Sequence, residues 1–101
     1  MAGEGTVAAV YAQALAGASG PVISQVEEAF DALLQAWREV PELKVFLAAP
    51  GIPIRAKVEA LGKALPEAPL MFLNFLGITA DKGRLGILPE IHAAFRDLRD
   101  R

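Results

Sequence analysis

The chain has 101 residues, of which 53% are hydrophobic, so it is long and apolar enough to fold as one domain around a single core. It contains no cysteine, which excludes a disulfide framework, a thiolate metal site and a cysteine nucleophile. The formal net charge of −2 argues against nucleic acid as the main partner, because neutralising phosphates needs a clustered excess of lysine and arginine.

The sequence shows no apolar stretch near the roughly 18 to 20 residues that span a bilayer. It also lacks a positively charged N-terminal region followed by an apolar segment. We therefore expect a soluble protein that does not insert directly into a membrane and that associates with one only through a partner.

The apolar residues recur at intervals of three and four, which is the helical period and predicts an all-α chain. Val40 precedes Pro41, which disfavours helical geometry there, and residues 49–53 hold two prolines and a glycine. Thr6 suits the N-cap of the first helix, and Gly83 suits a left-handed cap of the fifth. We predict a compact six-helix bundle and a single domain, with helices at about residues 6–18, 21–40, 41–48, 54–65, 69–81 and 85–99.

Few residues are candidates for chemistry. His92 is the only histidine and has no nucleophile or orienting partner beside it in the sequence. Glu27, Glu28 and Asp31 are predicted to form a solvated outer face opposite the apolar residues of the second helix. We therefore expect no catalytic residue, no metal and no cofactor, and a small enzyme would need a polar cluster that the sequence does not present.

The fifth predicted helix is apolar around more of its circumference than the ~100° stripe that packing on one side needs. Its apolar residues are Leu70, Met71, Phe72, Leu73, Phe75, Leu76 and Ile78. The first helix carries small residues that would let a neighbour approach closely, namely Ala8, Ala9, Ala12 and Ala14. Two interpretations are open: the two helices form a groove for an amphipathic helix, or the fifth is a core helix with a few exposed apolar residues.

Six short motifs follow one another along the chain. They are Tyr11-Ala12-Gln13-Ala14-Leu15, Val40-Pro41-Glu42-Leu43, Leu47-Ala48-Ala49-Pro50, Leu73-Asn74-Phe75-Leu76, Gly83-Arg84-Leu85 and Leu88-Pro89-Glu90-Ile91. In this order and approximate spacing they resemble the delta subunit of bacterial F-type ATP synthase, called OSCP in mitochondria. The resemblance covers essentially the whole chain, and the last two motifs are the most specific, since a helical bundle has no general need for them.

The resemblance implies that residues 1–101 form the family's six-helix N-terminal domain, a non-catalytic module without a cofactor. It implies a place in the peripheral stalk, or stator, on top of the catalytic F1 head of a proton-translocating ATP synthase. The protein would then be cytoplasmic and peripheral to the inner face of the bacterial membrane. Its partners would be amphipathic N-terminal helices of the alpha subunits. Carried over residue by residue, the candidate contacts are Ala8, Tyr11, Ala12 and Leu15 on the first helix and Phe72, Phe75, Leu76 and Thr79 on the fifth.

The chain also departs from the family pattern. It ends at Arg101, so we expect the family's C-terminal region to be absent, and the resemblance does not extend to binding the stalk b subunit through that region. Val10 stands where a basic residue is common and Gly77 where a larger residue is usual, changes that would loosen the groove. An unoccupied groove would also allow a dimer. The alternative function is a free-standing helical adaptor that binds another amphipathic helix.

Overall fold

The computed structural model describes the backbone of residues 4–100 and the side chains of residues 6–100. Residues 1–3 and 101 of the predicted domain therefore lie outside the described part. Within it the chain is a compact single domain of helices without strands, which confirms the all-α prediction. The α-helices are α1 (Glu4–Ser19), α2 (Ile23–Glu39), α3 (Pro41–Ala48), α4 (Ile54–Ala64), α5 (Leu70–Asp81) and α6 (Leu88–Arg99), and 3-10 turns Gly20–Val22 and Leu85–Ile87 precede α2 and α6.

The boundary between the first two helices differs from the prediction. The 3-10 turn Gly20–Val22 joins α1 directly to α2, so helical residues follow one another without a gap from 4 to 39 and the described chain has five separate helical segments rather than six. Gly20 takes φ +50°, which glycine adopts without steric cost, and Pro21 lies in the first turn, where its missing N–H has no acceptor to lose. The N-cap prediction for Thr6 is also wrong, because α1 already begins at Glu4.

The continuous segment changes one expectation about membranes. By length and composition alone, Thr6–Glu39 is a helix long and apolar enough to cross a bilayer, so the statement that no stretch approaches that length is wrong. One such helix is weak evidence, since the core helix of a soluble protein and a signal sequence near the N-terminus both meet the same criteria. Ala8, Ala12 and Leu15 within it belong to the hydrophobic core.

The core is centred on the ring of Phe30 in α2, which is completely buried. Its centroid lies 5.2 Å from that of Phe72 in α5 and 6.0 Å from that of Phe95 in α6. Burying an aromatic side chain of this size stabilises the fold by about 1.5–3 kcal/mol. Three helices that are distant in sequence are thus held together at one aromatic cluster.

Helix α1 packs more extensively against α6 than against any other helix. Its buried face consists of Ala8, Ala12, Leu15 and Ser19, spaced by four, three and four residues. The small side chains of Ala8 and Ala12 allow a neighbouring backbone to approach, and α6 is the helix that does so. Helix α1 contacts α5 less extensively than it contacts α6. The sequence had suggested α5 as the helix that forms a groove with α1.

Helix α4 packs against α5 at two glycines. A Cβ on Gly77 would lie 3.0 Å from Val58 Cγ2 and 3.6 Å from Ile54 Cγ2, and a Cβ on Gly62 would lie 3.4 Å from Leu73 Cδ1. Gly77 therefore faces α4. Gly77 stands where a larger residue is usual in the family, and this difference affects the contact between α4 and α5 rather than the surface beside α1.

Acidic residues of α2 meet basic residues of α6. The Nε2 atom of His92 lies 2.6 Å from Asp31 Oδ1, and Nη2 of Arg99 lies 3.3 Å from Glu27 Oε1. Arg96 approaches both carboxylates, at 3.4 Å from Asp31 Oδ1 and 3.8 Å from Glu27 Oε2. The predicted solvated outer face holds for Glu28, which is exposed, and only in part for Glu27 and Asp31, which lie half-buried beside α6 with 25% and 44% of their side chains exposed.

Candidate partner-binding site

The structure divides the eight predicted contact residues into two groups. Six of them lie in the core with at most 2% of each residue exposed, namely Ala8, Ala12, Leu15, Phe72, Leu76 and Thr79. Even the hydroxyl of Thr79 is satisfied internally, since Oγ1 donates to the carbonyl oxygen of Phe75 at 2.8 Å. Packing alone explains these six residues, and direct contact between them and a partner stays a prediction.

Tyr11 and Phe75 are the two predicted residues that are only half-buried. Their ring centroids lie 6.2 Å apart with an interplanar angle of 70°, an edge-to-face arrangement that aromatic pairs prefer. The Phe75 ring also stacks on Phe72, with centroids 6.3 Å apart and planes inclined by 14°. One side of the Tyr11–Phe75 pair thus rests on the core, and the other side is accessible.

Arg84 adds a charged group to the edge of this pair. Its Nη1 atom donates a hydrogen bond to Tyr11 Oη at 2.9 Å, and its guanidinium carbon lies 5.6 Å from the centroid of the tyrosine ring. The turn after α5 positions it: Gly83 has φ +69°, as predicted for a left-handed cap, and the N–H of Arg84 donates to the carbonyl of Thr79.

Exposed apolar residues flank the aromatic pair. Val10 is 56% exposed and Ile78 is 58% exposed. Ile78 follows Phe75 by three residues and Ala14, also exposed, follows Tyr11 by three, so each shares a helix face with its aromatic neighbour. We call Val10, Tyr11, Ala14, Phe75 and Ile78 the α1–α5 surface.

The α1 side of the α1–α5 surface carries no charged residue. Between Thr6 and Ser19, α1 contains no aspartate, glutamate, lysine, arginine or histidine, and the guanidinium of Arg84 contacts Tyr11. On α5, the exposed Asp81 follows Ile78 by three residues. This arrangement suits the apolar face of an amphipathic helix with an acidic residue at its edge.

Sequence reasoning missed Ile78 as a contact, although its three-residue spacing from Phe75 was a usable signal. Val10 was noted only as a departure from the family pattern. Arg84 stood within a motif, but its contact with a tyrosine 73 positions away left no local trace in the sequence.

Chemistry or metal binding would need a cluster of titratable side chains. Within the described residues, no cluster of three or more His, Cys, Asp or Glu side chains could hold a metal ion. The imidazole of His92 is half-buried, as expected of a boundary histidine, and its ring lies 4.9 Å from that of Phe30. Its carboxylate neighbour Asp31 is shared with Arg96. This cluster is a polar contact between two helices.

The comparisons with known proteins agree on one family. The sequence model of the family described as ATP synthase delta (OSCP) subunit matches residues 7–101. The chain is 34% identical over 101 residues to an ATP synthase subunit delta from Polaromonas, covering 99% of this chain and 57% of that protein. It is 33% identical over 89 residues to the subunit delta of Prochlorococcus marinus, covering 85% and 49%, and 36% identical over 90 residues to that of Leptospira borgpetersenii, covering 88% and 48%.

The chain spans about half the length of these curated relatives. No solved structure matches it.

Proposed function

Since the chain belongs to the family of the ATP synthase delta (OSCP) subunit, we propose that it serves in the peripheral stalk, or stator, of an F-type ATP synthase. The family match over residues 7–101 is the observation that carries this proposal. In this role the chain corresponds to the family's N-terminal domain and is a non-catalytic part of a proton-translocating enzyme. It lies on the F1 head, peripheral to the inner face of the bacterial membrane.

The partners in this proposal are the amphipathic N-terminal helices of the alpha subunits, and the α1–α5 surface receives them. The support is the half-buried Tyr11–Phe75 pair together with the exposure of Val10, next to Tyr11 in the sequence, and of Ile78, three residues after Phe75. An amphipathic helix presents apolar side chains at i, i+3, i+4 and i+7, which form a continuous stripe that can cover such a surface. Arg84 at the edge favours a partner helix with an acidic residue beside that stripe.

The physical task is mechanical. A stator holds the catalytic head against rotation, so it needs a long-lived contact and no bond-making step. Related complexes differ in affinity mainly through their dissociation rates, and apolar anchors that exclude water slow dissociation most. The described side chains of the α1–α5 surface would bind the partner helix and orient it.

The test is a calorimetric titration of the chain with a peptide of about the first 25 residues of the alpha subunit from the same organism, a length that allows several helical turns. Ile78→Asp places a charge within the α1–α5 surface, three residues from Phe75, and should weaken binding by about tenfold or more, equivalent to about 1.4 kcal/mol. Val45→Asp is the matched control, because Val45 is 71% exposed on α3.

Saturable binding that Ile78→Asp removes and Val45→Asp preserves would support both the partner and the surface. Equal losses in the two variants would mean that the peptide binds elsewhere or without specificity. If the folded wild-type chain does not bind the peptide at all, the alternative of an adaptor for a different amphipathic helix would replace the stator proposal.

A further inference from the structure

A cavity of about 300 Å³ lies between α3, α4, α5 and the 3-10 turn before α6. It shares no residue with the α1–α5 surface. Its volume is at the lower end of the range of about 300–1,000 Å³ typical of small-molecule pockets. Four aliphatic side chains contribute to its wall, namely Leu47, Ile52, Ile54 and Leu85.

Lys57 on α4 also lines this cavity, and only 7% of the residue is exposed. No hydrogen bond or ion pair joins its ammonium group to another described residue. Among the described residues, no fully buried polar side-chain atom lacks a partner, so Nζ itself keeps some access to solvent. Lys57 therefore combines a largely covered side chain, a solvent-accessible Nζ and a place in the wall of this cavity.

The environment of Lys57 is unusual. Lysine is rarely buried unless it is paired, and here its ammonium group retains contact with solvent in place of an opposite charge. The inward positions one turn before and after it on α4 are occupied by Ile54 and Leu61, so an aliphatic residue would suit the site sterically. A ligand carrying a negative charge would supply the missing partner.

We propose that this cavity binds a small organic anion in which a carboxylate is joined to a short apolar body. The carboxylate would accept hydrogen bonds from Lys57 Nζ, and the apolar body would pack against the aliphatic wall. Asp81 also lines the cavity but lies more than 4.0 Å from the lysine nitrogen, since the two form no ion pair. Its charge disfavours dianions such as phosphate and limits the ligand to a single negative charge.

The experiment is a titration of the ¹⁵N-labelled chain followed by NMR, with hexanoate as the probe. Hexylamine has the same number of carbon atoms with the opposite charge, and inorganic phosphate has negative charge without an apolar body. We expect saturable shifts from hexanoate at the residues that line the cavity, and no saturable binding of the other two. Lys57→Met should weaken hexanoate binding by about tenfold or more, and Asp81→Asn should strengthen it several-fold because a repulsive charge is removed.

Lys63→Met is the matched control, because Lys63 is an exposed lysine on the same helix. Lys57→Met should melt at or above the wild-type temperature, since it replaces an unpaired charge by a side chain of similar shape. If that variant does not fold, Lys57→Gln tests the same loss of charge while retaining a polar group.

Three results would overturn the proposal. They are unchanged hexanoate affinity in Lys57→Met or Lys57→Gln, equal binding of hexylamine, and the absence of saturable binding to the folded wild-type chain. The proposal does not rest on the stator role, because the two titrations use different residues and each can fail alone.

Discussion

Gly77 of α5 lies so close to Val58 of α4 that a Cβ on the glycine would stand 3.0 Å from Val58 Cγ2. A glycine within a helix costs about 0.5–1 kcal/mol relative to alanine. The close approach of α4 and α5 at this point must therefore offset that cost through better packing of their side chains.

Gly77→Ala should lower the free energy of unfolding by about 1 kcal/mol. The new methyl group meets a β-branched side chain that is stiff at χ1, and overpacking costs of about 1–3 kcal/mol exceed the gain in helix propensity. Trp37 is the only tryptophan and is 7% exposed, so its fluorescence can follow denaturation by urea.

Gly62→Ala is the control for this prediction. Its Cβ would meet only the Cδ1 atom of Leu73, at 3.4 Å, and a leucine terminus moves more easily than a valine. We expect Gly62→Ala to be neutral or stabilising by up to about 1 kcal/mol. A Gly77→Ala variant as stable as the wild type would show that Val58 yields and that the contact is not tight.

The two phenylalanines of α5 should separate folding from binding. Phe72 is completely buried against Phe30, so Phe72→Ala should destabilise the fold by about 3–5 kcal/mol. Phe75 is half-buried. Phe75→Ala should destabilise it less, and should weaken binding of the alpha-subunit peptide by ~2 kcal/mol if this ring is an anchor.

Thermal melts of both variants measure the effect on folding, and peptide titrations measure the effect on binding. The titrations are run at a temperature where each variant is folded. If Phe75→Ala lowers the melting temperature but leaves the affinity unchanged, its ring is a core residue and the anchor role is excluded.

The helix boundaries were mostly readable from the sequence because prolines and glycines act through local backbone geometry. Val40 ends α2 in an extended conformation before Pro41, as predicted. Residues 19 and 20 fall between the first two predicted helices, yet a single residue in the left-handed region at Gly20 is compatible with helix on both sides.

The orientation of α5 could not be predicted from the sequence. A helix that is apolar on most sides gives no periodic signal of which side faces inward. Its true orientation depends on Gly77 lying against α4 and on Phe72 reaching Phe30, and both contacts join residues distant in sequence. Six of the eight predicted contacts consequently lie in the core. Tyr11 and Phe75 lie half-buried at its border, and their contact with a partner stays a prediction.

The third prediction concerns the interaction between Asp31 and His92, two residues that are distant in sequence. A double-mutant cycle with Asp31→Asn and His92→Ala should give a coupling of about 0.5–1 kcal/mol, since the aspartate side chain is 44% exposed and solvent screens the interaction. Both variants that carry His92→Ala lose the ring contact between His92 and Phe30, so the cycle subtracts that loss from the coupling energy.

Glu28→Gln combined with His92→Ala is the matched control, because Glu28 is exposed on the same helix and should show no coupling. A coupling indistinguishable from that of the control would mean that the 2.6 Å contact contributes nothing to stability in solution.

Gly20 and Gly17 provide the last prediction, which tests how α1 passes into α2. A Cβ on either glycine would have no neighbour within 4 Å, so substitution by alanine changes backbone energy alone. Gly20 has φ +50°, and Gly20→Ala should destabilise the fold by about 1–2 kcal/mol because a side chain disfavours the left-handed region. Gly17 lies within α1, so Gly17→Ala should stabilise it by about 0.5–1 kcal/mol. Urea denaturation measures both. If the two changes stabilise the chain equally, α1 and α2 run on as regular helix through residue 20 and the turn between them is absent in solution.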